Sequence, residues 1–335
     1  MEVLRIGVIG TGAIGKEHIT RITNKLFGGQ VVAVTDVNEA AAQEAAKICG
    51  ARVEQDADAI INAPDVDAIM VTSAGFAHAE SVIKAVQAGK PVFCEKPLAT
   101  TAADCKKIVD LEVAGGKQLV QVGFMRRYDK GYLQVKEALD SGQFGEPLLV
   151  HCAHRNATVP ESYDTPMAVH DTMIHEIDVL RWLINDDYVT AQVILGKDTK
   201  HTHGKLRDPQ IMILRTKSGM TIDVEVFVNC QYGYDIECEV ICEEGIVRMA
   251  EPSFPTIRHA KHHAIYIEQD WKKRFPDAFD VEIQEWMDTT KEGKVRGPNA
   301  WDGYIAAVTA DALVKSQETG AIEPIVTGER PAFYN

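Results

Sequence analysis

Near the start of the chain, Gly10-Thr11-Gly12-Ala13-Ile14-Gly15 follows the apolar run LRIGVIG and leads into helical sequence, KEHITRITNKL. A second apolar run, VVAVTD, ends at Asp36. Nothing else in the chain restricts its fold as tightly as this order of strand, glycine loop, helix, strand and acid. The acid lies about 20 residues past the last glycine, the spacing of a dinucleotide-binding Rossmann unit. Short runs this apolar suit parallel strands buried on both faces. Gly10 allows the tight turn, Gly12 lets the backbone approach a pyrophosphate, and Gly15 lets the helix pack closely on the strand. Ala13 and Ile14 open the helix whose free N–H groups and positive dipole would meet the phosphates. Asp36 can accept hydrogen bonds from a ribose diol and would repel a 2′-phosphate, and Val37 and Asn38 offer no positive charge. The expected cofactor is therefore NAD rather than NADP.

Strand-like and helix-like segments go on alternating to about residue 123: AAQEAAKIC, VDAIMVTS, AHAESVIKAVQAG, PVFCEKP, a helix opening at Thr101 and closing at Gly115-Gly116, and QLVQVGF. Such alternation predicts a doubly wound parallel sheet, an α/β fold. Ligands of such sheets lie outside the carboxyl ends of the strands. Besides the glycine loop, two stretches fall there: residues 72–78, with Thr72, Ser73 and His78, and residues 95–97, with Glu95 and Lys96. Lys96 follows an apolar strand and precedes a proline that restricts its backbone, so it is aimed at the crevice rather than free in solvent.

A chain of 335 residues has room for two domains. We expect a Rossmann domain over 1–123 and a substrate-binding and oligomerisation domain over 124–335. The formal charge of −14 argues against nucleic acid or an anionic membrane surface as partner. No apolar run reaches the roughly 18 residues of a membrane span. MEVLRIGVIG lacks the basic region of a signal peptide and runs straight into the glycine motif. The seven cysteines form no CxxC pair, which suits buried, reduced thiols in a cytoplasmic protein. Cys238 and Cys242 should share one strand face with Val240. No zinc-ligand spacing is present, and no metal is expected.

Beyond residue 124 the pattern changes. LLVHCAHRN alternates, with Val150, Cys152, His154 and Asn156 on one face, and TIDVEVFVN alternates with Ile222, Val224, Val226 and Val228 inward. Strands at this spacing predict a large open, mainly antiparallel sheet in an α+β domain. Residues 170–182, HDTMIHEIDVLRW, read as one helix. At about 100° per residue, Asp171, His175, Asp178 and Trp182 form one stripe, while Met173, Ile177, Leu180 and Ile184 form an apolar face. On this reading His170, Glu176 and Arg181 point elsewhere. A carboxylate one turn from a histidine can orient it and stabilise its charged form, as proton transfer requires. A lysine, this stripe and a nicotinamide together suggest alcohol oxidation, hydride passing to the cofactor and the hydroxyl proton to a base. Tyr132 and Lys136 spell YxxxK, the pair of short-chain dehydrogenases. Leu119 stands where that family needs a serine, and the glycine motif is of the other type, so we set the pair aside. His201-x-His203 and His262-His263 read as solvated loop residues. Phe279 occupies a place where a polar group would be expected if its helix reached the pocket.

GTGAIG, CEKPLA and HDTMIHEIDVLRW resemble the glucose-fructose oxidoreductase/inositol dehydrogenase/rhizopine catabolism (Gfo/Idh/MocA) family, and the likeness runs from end to end. VGFMRRYDKGY, HCAHRN, YGYDIECE and GPNAWDGYIAAVT resemble its inositol 2-dehydrogenase branch. The resemblance implies oxidation of myo-inositol at C2 to 2-keto-myo-inositol (scyllo-inosose). Another cyclitol or an aldose (scyllo-inositol, D-chiro-inositol, glucose or xylose) is the alternative. It implies Lys96, Asp171 and His175 as the catalytic group: His175 as general base, Asp171 orienting it or joining the relay, and Lys96 holding the reacting hydroxyl. A cis Lys96–Pro97 bond is part of the pattern. Met125, Arg126, His154, Asn156, Asp178 and Tyr234 would line the polyol pocket together with Asp171 and His175. Assembly would be a homotetramer built through the C-terminal sheet. Thr72-Ser73-Ala74-Gly75 departs from the family's usual Thr-Pro.

Overall fold

A computed structural model describes residues 3–250 and 256–335. Strand and helix alternate through the first part: β1 (Leu4–Ile9), α1 (Ala13–Asn24), β2 (Gly29–Thr35), α2 (Glu39–Cys49), β3 (Arg52–Val53), α3 (Ala57–Ile61), β4 (Ala68–Val71), α4 (His78–Gln87), β5 (Val92–Glu95), α5 (Ala102–Gly115) and β6 (Val120–Gly123). There follow α6 (Lys130–Asp140), β7 (Pro147–Arg155), α7 (Ile174–Ile184), β8 (Tyr188–Leu195), β9 (Gln210–Thr216), β10 (Thr221–Phe227), β11 (Asp235–Cys242), β12 (Ile246–Arg248), β13 (Thr256–His259), β14 (His262–Ile265), α8 (Trp271–Arg274), α9 (Pro276–Lys291), α10 (Ala300–Thr319) and β15 (Glu323–Pro324).

The chain divides into two compact units, residues 1–124 with 279–308 and 327–335, and residues 125–278 with 309–326. The first unit is discontinuous because α9 brings Ile283, Trp286 and Met287 into the same core as Ile6, Val8, Ile19 and Phe93. Its six strands run parallel in the order β3-β2-β1-β4-β5-β6. The strand order therefore reverses between β1 and β4, the switch point where such sheets open a crevice. Both β4 and β5 are buried throughout, as strands covered on two faces must be. Helix ends follow local chemistry. The Asn38 side chain accepts from Ala41 N–H at the start of α2. Thr101 Oγ1 accepts from Asp104 N–H at the start of α5, and Gly116 closes that helix in the left-handed conformation. Only the short β3 and α3 escape the sequence pattern, being too brief to show a period.

In the second unit a seven-stranded sheet has the order β12-β11-β7-β10-β9-β8-β15. Every pair is antiparallel except β7 with β10, which is parallel. Burial alternates along β10 and β11, with Ile222, Val224 and Val226, and Cys238, Val240 and Cys242, on the covered face. The second half of α10 is anchored to this sheet: Ser316 Oγ accepts from Val193 N–H at 2.8 Å, and Gln317 bonds Gln210 at 2.7 Å. On the opposite face Arg155 links Glu225, Asp235 and Glu237 at 2.7–2.9 Å. Leu149, Ile194, Ile211 and Ile246 are exposed on sheet strands. No helix among the described residues is long and apolar enough to cross a membrane.

Phe279 lies in the first unit, edge to face with His18 at 5.7 Å and under the Arg21 guanidinium at 5.1 Å. It is a core aromatic there, which explains the absence of a polar side chain. His201 is exposed as expected, but both ring nitrogens of His203 are buried, which corrects its reading as a solvated residue. Tyr132 is fully buried whereas Lys136 pairs with Asp140 at the surface, so the YxxxK spelling does not form a working pair.

Candidate active site

In the first unit the glycine loop is shaped by close backbone approach. Gly10 has φ +96°, and a Cβ there would lie 2.3 Å from Ser73 N. A Cβ on Gly15 would lie 2.3 Å from Gly10 O. Both positions exclude any larger residue. Gly12 differs, since a Cβ there would meet no protein atom within 4 Å. Its missing side chain leaves open space directly before α1, and no side chain caps that helix. A cradle with free N–H groups is what a pyrophosphate requires. Thr72 Oγ1 donates to Gly10 O at 2.6 Å, holding the end of β4 against the loop. Ser73 Oγ is buried without a protein partner, an open valence on the same rim.

Asp36 stands at the end of β2. Its Oδ2 accepts from Thr11 N–H at 2.6 Å and its Oδ1 from Asn38 N–H at 2.9 Å. The carboxylate is thus oriented while keeping acceptor capacity for a diol. Val37 is fully exposed beside it. The His78 ring bridges Pro97 O at 2.7 Å and Ser73 O at 2.9 Å, tying together the turns that follow β5 and β4. Lys96 directly follows β5, and Lys96–Pro97 is cis. The residues present fit a bound dinucleotide: a bare glycine, an uncapped helix, an unpaired hydroxyl and an oriented acid all face one strand-end crevice.

In the second unit, residues 168–184 are not one uniform helix. Ala168–Met173 is a π-helical turn, and α-helix begins only at Ile174. The i→i+5 bonding of the first segment changes the angular step, so a single 100° wheel misplaces its residues. Asp171 is exposed on the π-turn, whereas His175 and Asp178 are buried on α7. The expectation that Glu176 points elsewhere is corrected as well. It is buried, and its Oε1 pairs with the guanidinium of Arg126, itself 1 % exposed. Oε2 lies 2.9 Å from His154 Nδ1. Arg126 Nη2 lies 3.0 Å from the same ring nitrogen and 3.4 Å from the Tyr234 hydroxyl, while Nη1 donates to the Tyr132 hydroxyl at 3.4 Å. A carboxylate only accepts and a guanidinium only donates, so a neutral His154 satisfies one or the other at Nδ1, according to its tautomer. Burial pushes the Tyr132 and Tyr234 phenols up, so both remain O–H groups.

This arrangement brings several of the expected pocket residues together. The His154 ring lies 5.6 Å from Tyr234, edge to face, and 6.3 Å from His175. Met125 and Arg126 sit in a short 3₁₀ turn, Met125–Tyr128. Asn156 lies just past β7, its backbone bonded to Phe227 O and to Cys230 N–H at 3.0 Å. Asp178 takes a separate partner: both its oxygens are held by the Arg127 fork at 2.8 and 2.5 Å. Glu176 and Tyr132, both buried, and the half-buried Arg127 are site residues that sequence reasoning missed. For their partners the available signal was the pair Arg126-Arg127 in an apolar setting, since guanidinium groups taken out of water demand carboxylates.

The sequence pattern of the oxidoreductase family with an NAD-binding Rossmann fold matches residues 4–124, and that of its C-terminal alpha/beta domain matches residues 136–325. Inositol 2-dehydrogenase of Pseudomonas syringae pv. syringae (strain B728a) is 56 % identical over 337 residues, covering 99 % of each chain. That of Burkholderia cenocepacia (strain HI2424) is 54 % identical over 333 residues, with the same coverage. Among solved structures, myo-inositol dehydrogenase from Lactobacillus casei in complex with NAD(H) and myo-inositol is 43 % identical. It superposes with a TM-score of 0.97 over 99 % of this chain and 100 % of its own.

Proposed function

Because the chain belongs to the Gfo/Idh/MocA oxidoreductase family, we propose that it oxidises myo-inositol at C2 to 2-keto-myo-inositol (scyllo-inosose). It is an NAD-binding oxidoreductase of the inositol 2-dehydrogenase type. The observation that carries the substrate assignment is full-length similarity, at 43 % identity, to an enzyme solved with NAD(H) and myo-inositol. Bound NAD supplies the acceptor for the hydride that leaves the carbinol carbon. Gly10, Gly12, Ala13, Ile14 and Gly15 would hold its phosphates, Asp36 and Val37 its ribose side, and Thr72, Ser73, His78, Glu95 and Lys96 the remainder.

The chain's own residues move the proton and read the polyol. His175 takes the hydroxyl proton, Asp171 orients it or passes the proton on, and Lys96 donates a hydrogen bond to the reacting oxygen. Asp171 is exposed, which suits a group that exchanges protons with solvent. Met125, Arg126, His154, Asn156, Asp178 and Tyr234 line the polyol pocket with them. On this reading residues 1–123 serve the cofactor, and residues 124–335 serve substrate and assembly. The protein works in the cytoplasm, in inositol catabolism, as a homotetramer formed through its open sheet, whose apolar strand residues would be covered there.

The test is NADH absorbance with NAD and a panel of myo-, scyllo- and D-chiro-inositol, glucose and xylose. Signal with myo-inositol is expected. Signal with another member alone would move the assignment to that polyol, and silence from all would refute it. Lys96→Ala and His175→Ala should each lower kcat at least about 100-fold with NADH still bound. Unchanged rates in both would remove the catalytic assignment. Light scattering that gives a monomer would refute the tetramer.

A further inference from the structure

We infer that His18 is a positioning residue for the turn that carries Lys96, acting through Glu95. The inference rests on the reading of Lys96 as a catalytic group, and all its parts lie within the first unit. His18 is on α1, fully buried, with its ring edge-on to Phe93 and to Phe279 at 5.7 Å each. A buried imidazole has two ring nitrogens to satisfy. Nδ1 lies 2.6 Å from Arg21 Nη1. A guanidinium has no acceptor, so Nδ1 must carry the lone pair. Burial pushes the His18 pKa down, which keeps the ring neutral. Its single proton is therefore on Nε2, 2.7 Å from Glu95 Oε1.

The other carboxylate oxygen of Glu95, Oε2, accepts from the Lys96 backbone N–H at 3.1 Å. At the far end of the chain, Arg21 Nε donates to Asp280 Oδ1 at 3.0 Å. Every donor and acceptor is thus assigned: Arg21 donates both to Asp280 and to His18, His18 donates to Glu95, and Glu95 receives Lys96 N–H. The carboxylate of Glu95 fits because residue 123 is glycine, where a Cβ would lie 3.1 Å from it. The helix whose N-terminus faces the dinucleotide phosphates and the turn bearing Lys96 are joined by one buried, directional series of bonds. His18, fully buried, donates from Nε2 in the tautomer that Arg21 imposes, and so orients the carboxylate that holds the Lys96 backbone.

The test compares His18→Phe, which fills the aromatic slot without a donor, with His18→Gln, which restores an amide donor near Nε2 and a carbonyl acceptor. Three quantities are measured: kcat with the best inositol, NADH dissociation by fluorescence, and the rate of Lys96 acetylation by acetic anhydride in substrate-free enzyme. In His18→Phe, kcat at saturating NAD should fall at least about tenfold and Lys96 labelling should change at least about threefold, the NADH dissociation constant being used to set saturation. His18→Gln should recover most of both changes. Arg21→Met, which removes the donor that sets the tautomer, should shift labelling in the same direction and covers the case in which His18→Phe does not fold. Labelling and kcat within about twofold of the parent in His18→Phe would overturn the inference. So would parental labelling in Arg21→Met, or a His18→Gln variant as impaired as His18→Phe, which is the behaviour of a packing residue. Should no polyol be oxidised, the proposed function falls, while Lys96 labelling still decides this inference.

Discussion

Glu176→Leu is the most informative single perturbation of the second unit. The Arg126 and Glu176 side chains are each 1 % exposed, so neither charge has water to fall back on. Removing the carboxylate leaves a guanidinium whose remaining polar neighbours are His154 and two neutral phenols. Breaking one side of a buried ion pair costs about 3–5 kcal/mol, because an uncompensated charge stays in the low-dielectric interior. For a unit of roughly 150–250 residues each kcal/mol lowers Tm by about 2–4 °C, so a loss of about 6–20 °C follows. The double variant Arg126→Met/Glu176→Leu removes both charges and should regain at least about half of that loss. The assay is thermal and urea unfolding followed by circular dichroism, with all three proteins at one pH and salt. A single variant destabilised by less than about 1 kcal/mol would refute the reasoning, since a surface pair costs no more than that. A double variant as unstable as the single would refute it too, since the penalty would then be lost packing rather than stranded charge.

Other outcomes follow from both units. Burial depresses the His18 and His170 pKa values below the usual 6.5. Below 6.5 the unfolded chain takes up protons that the folded chain refuses. Stability present above that pH is therefore lost as pH falls towards the folded values. Urea midpoints should drop between pH 7.5 and 5.5, and His18→Gln should lose less over that interval; an equal loss would contradict the assignment. Gly12→Val should fold with Tm within about 2 °C of the parent yet bind NADH at least about tenfold more weakly, because the open space before α1 is where phosphate must come. Parental affinity would refute the cradle. Asp36→Ser should raise the NADP-to-NAD ratio of kcat/KM at least about tenfold by removing a charge that repels a 2′-phosphate, and an unchanged ratio would refute that role.

Much of the cofactor half was legible because its determinants are local. Gly10, Gly12, Gly15 and Asp36 lie within about 30 residues on consecutive elements, and each has a steric or electrostatic reason visible in the chain itself. The alternation of β10 and β11 and the shared face of Cys238, Val240 and Cys242 were legible for the same reason, since a strand's period of two follows from its backbone alone. Other features depend on groups brought together from distant positions. The π-turn ahead of α7 cannot be seen in a pattern that assumes one angular step. Glu176 reads as a surface acid until Arg126 and His154, 50 and 22 residues away, come within bonding distance. Phe279 and Asp280, more than 250 residues from α1, close the slot and the bond series around His18. By itself, then, the sequence determined the strand–helix alternation of a nucleotide fold, the place of its crevice and the charge of its ribose acceptor. Only the tertiary structure decided which buried charges are paired and which tautomer Arg21 imposes on His18. Those depend on which donors and acceptors meet where water is excluded, and that is a property of packing rather than of spacing along the chain.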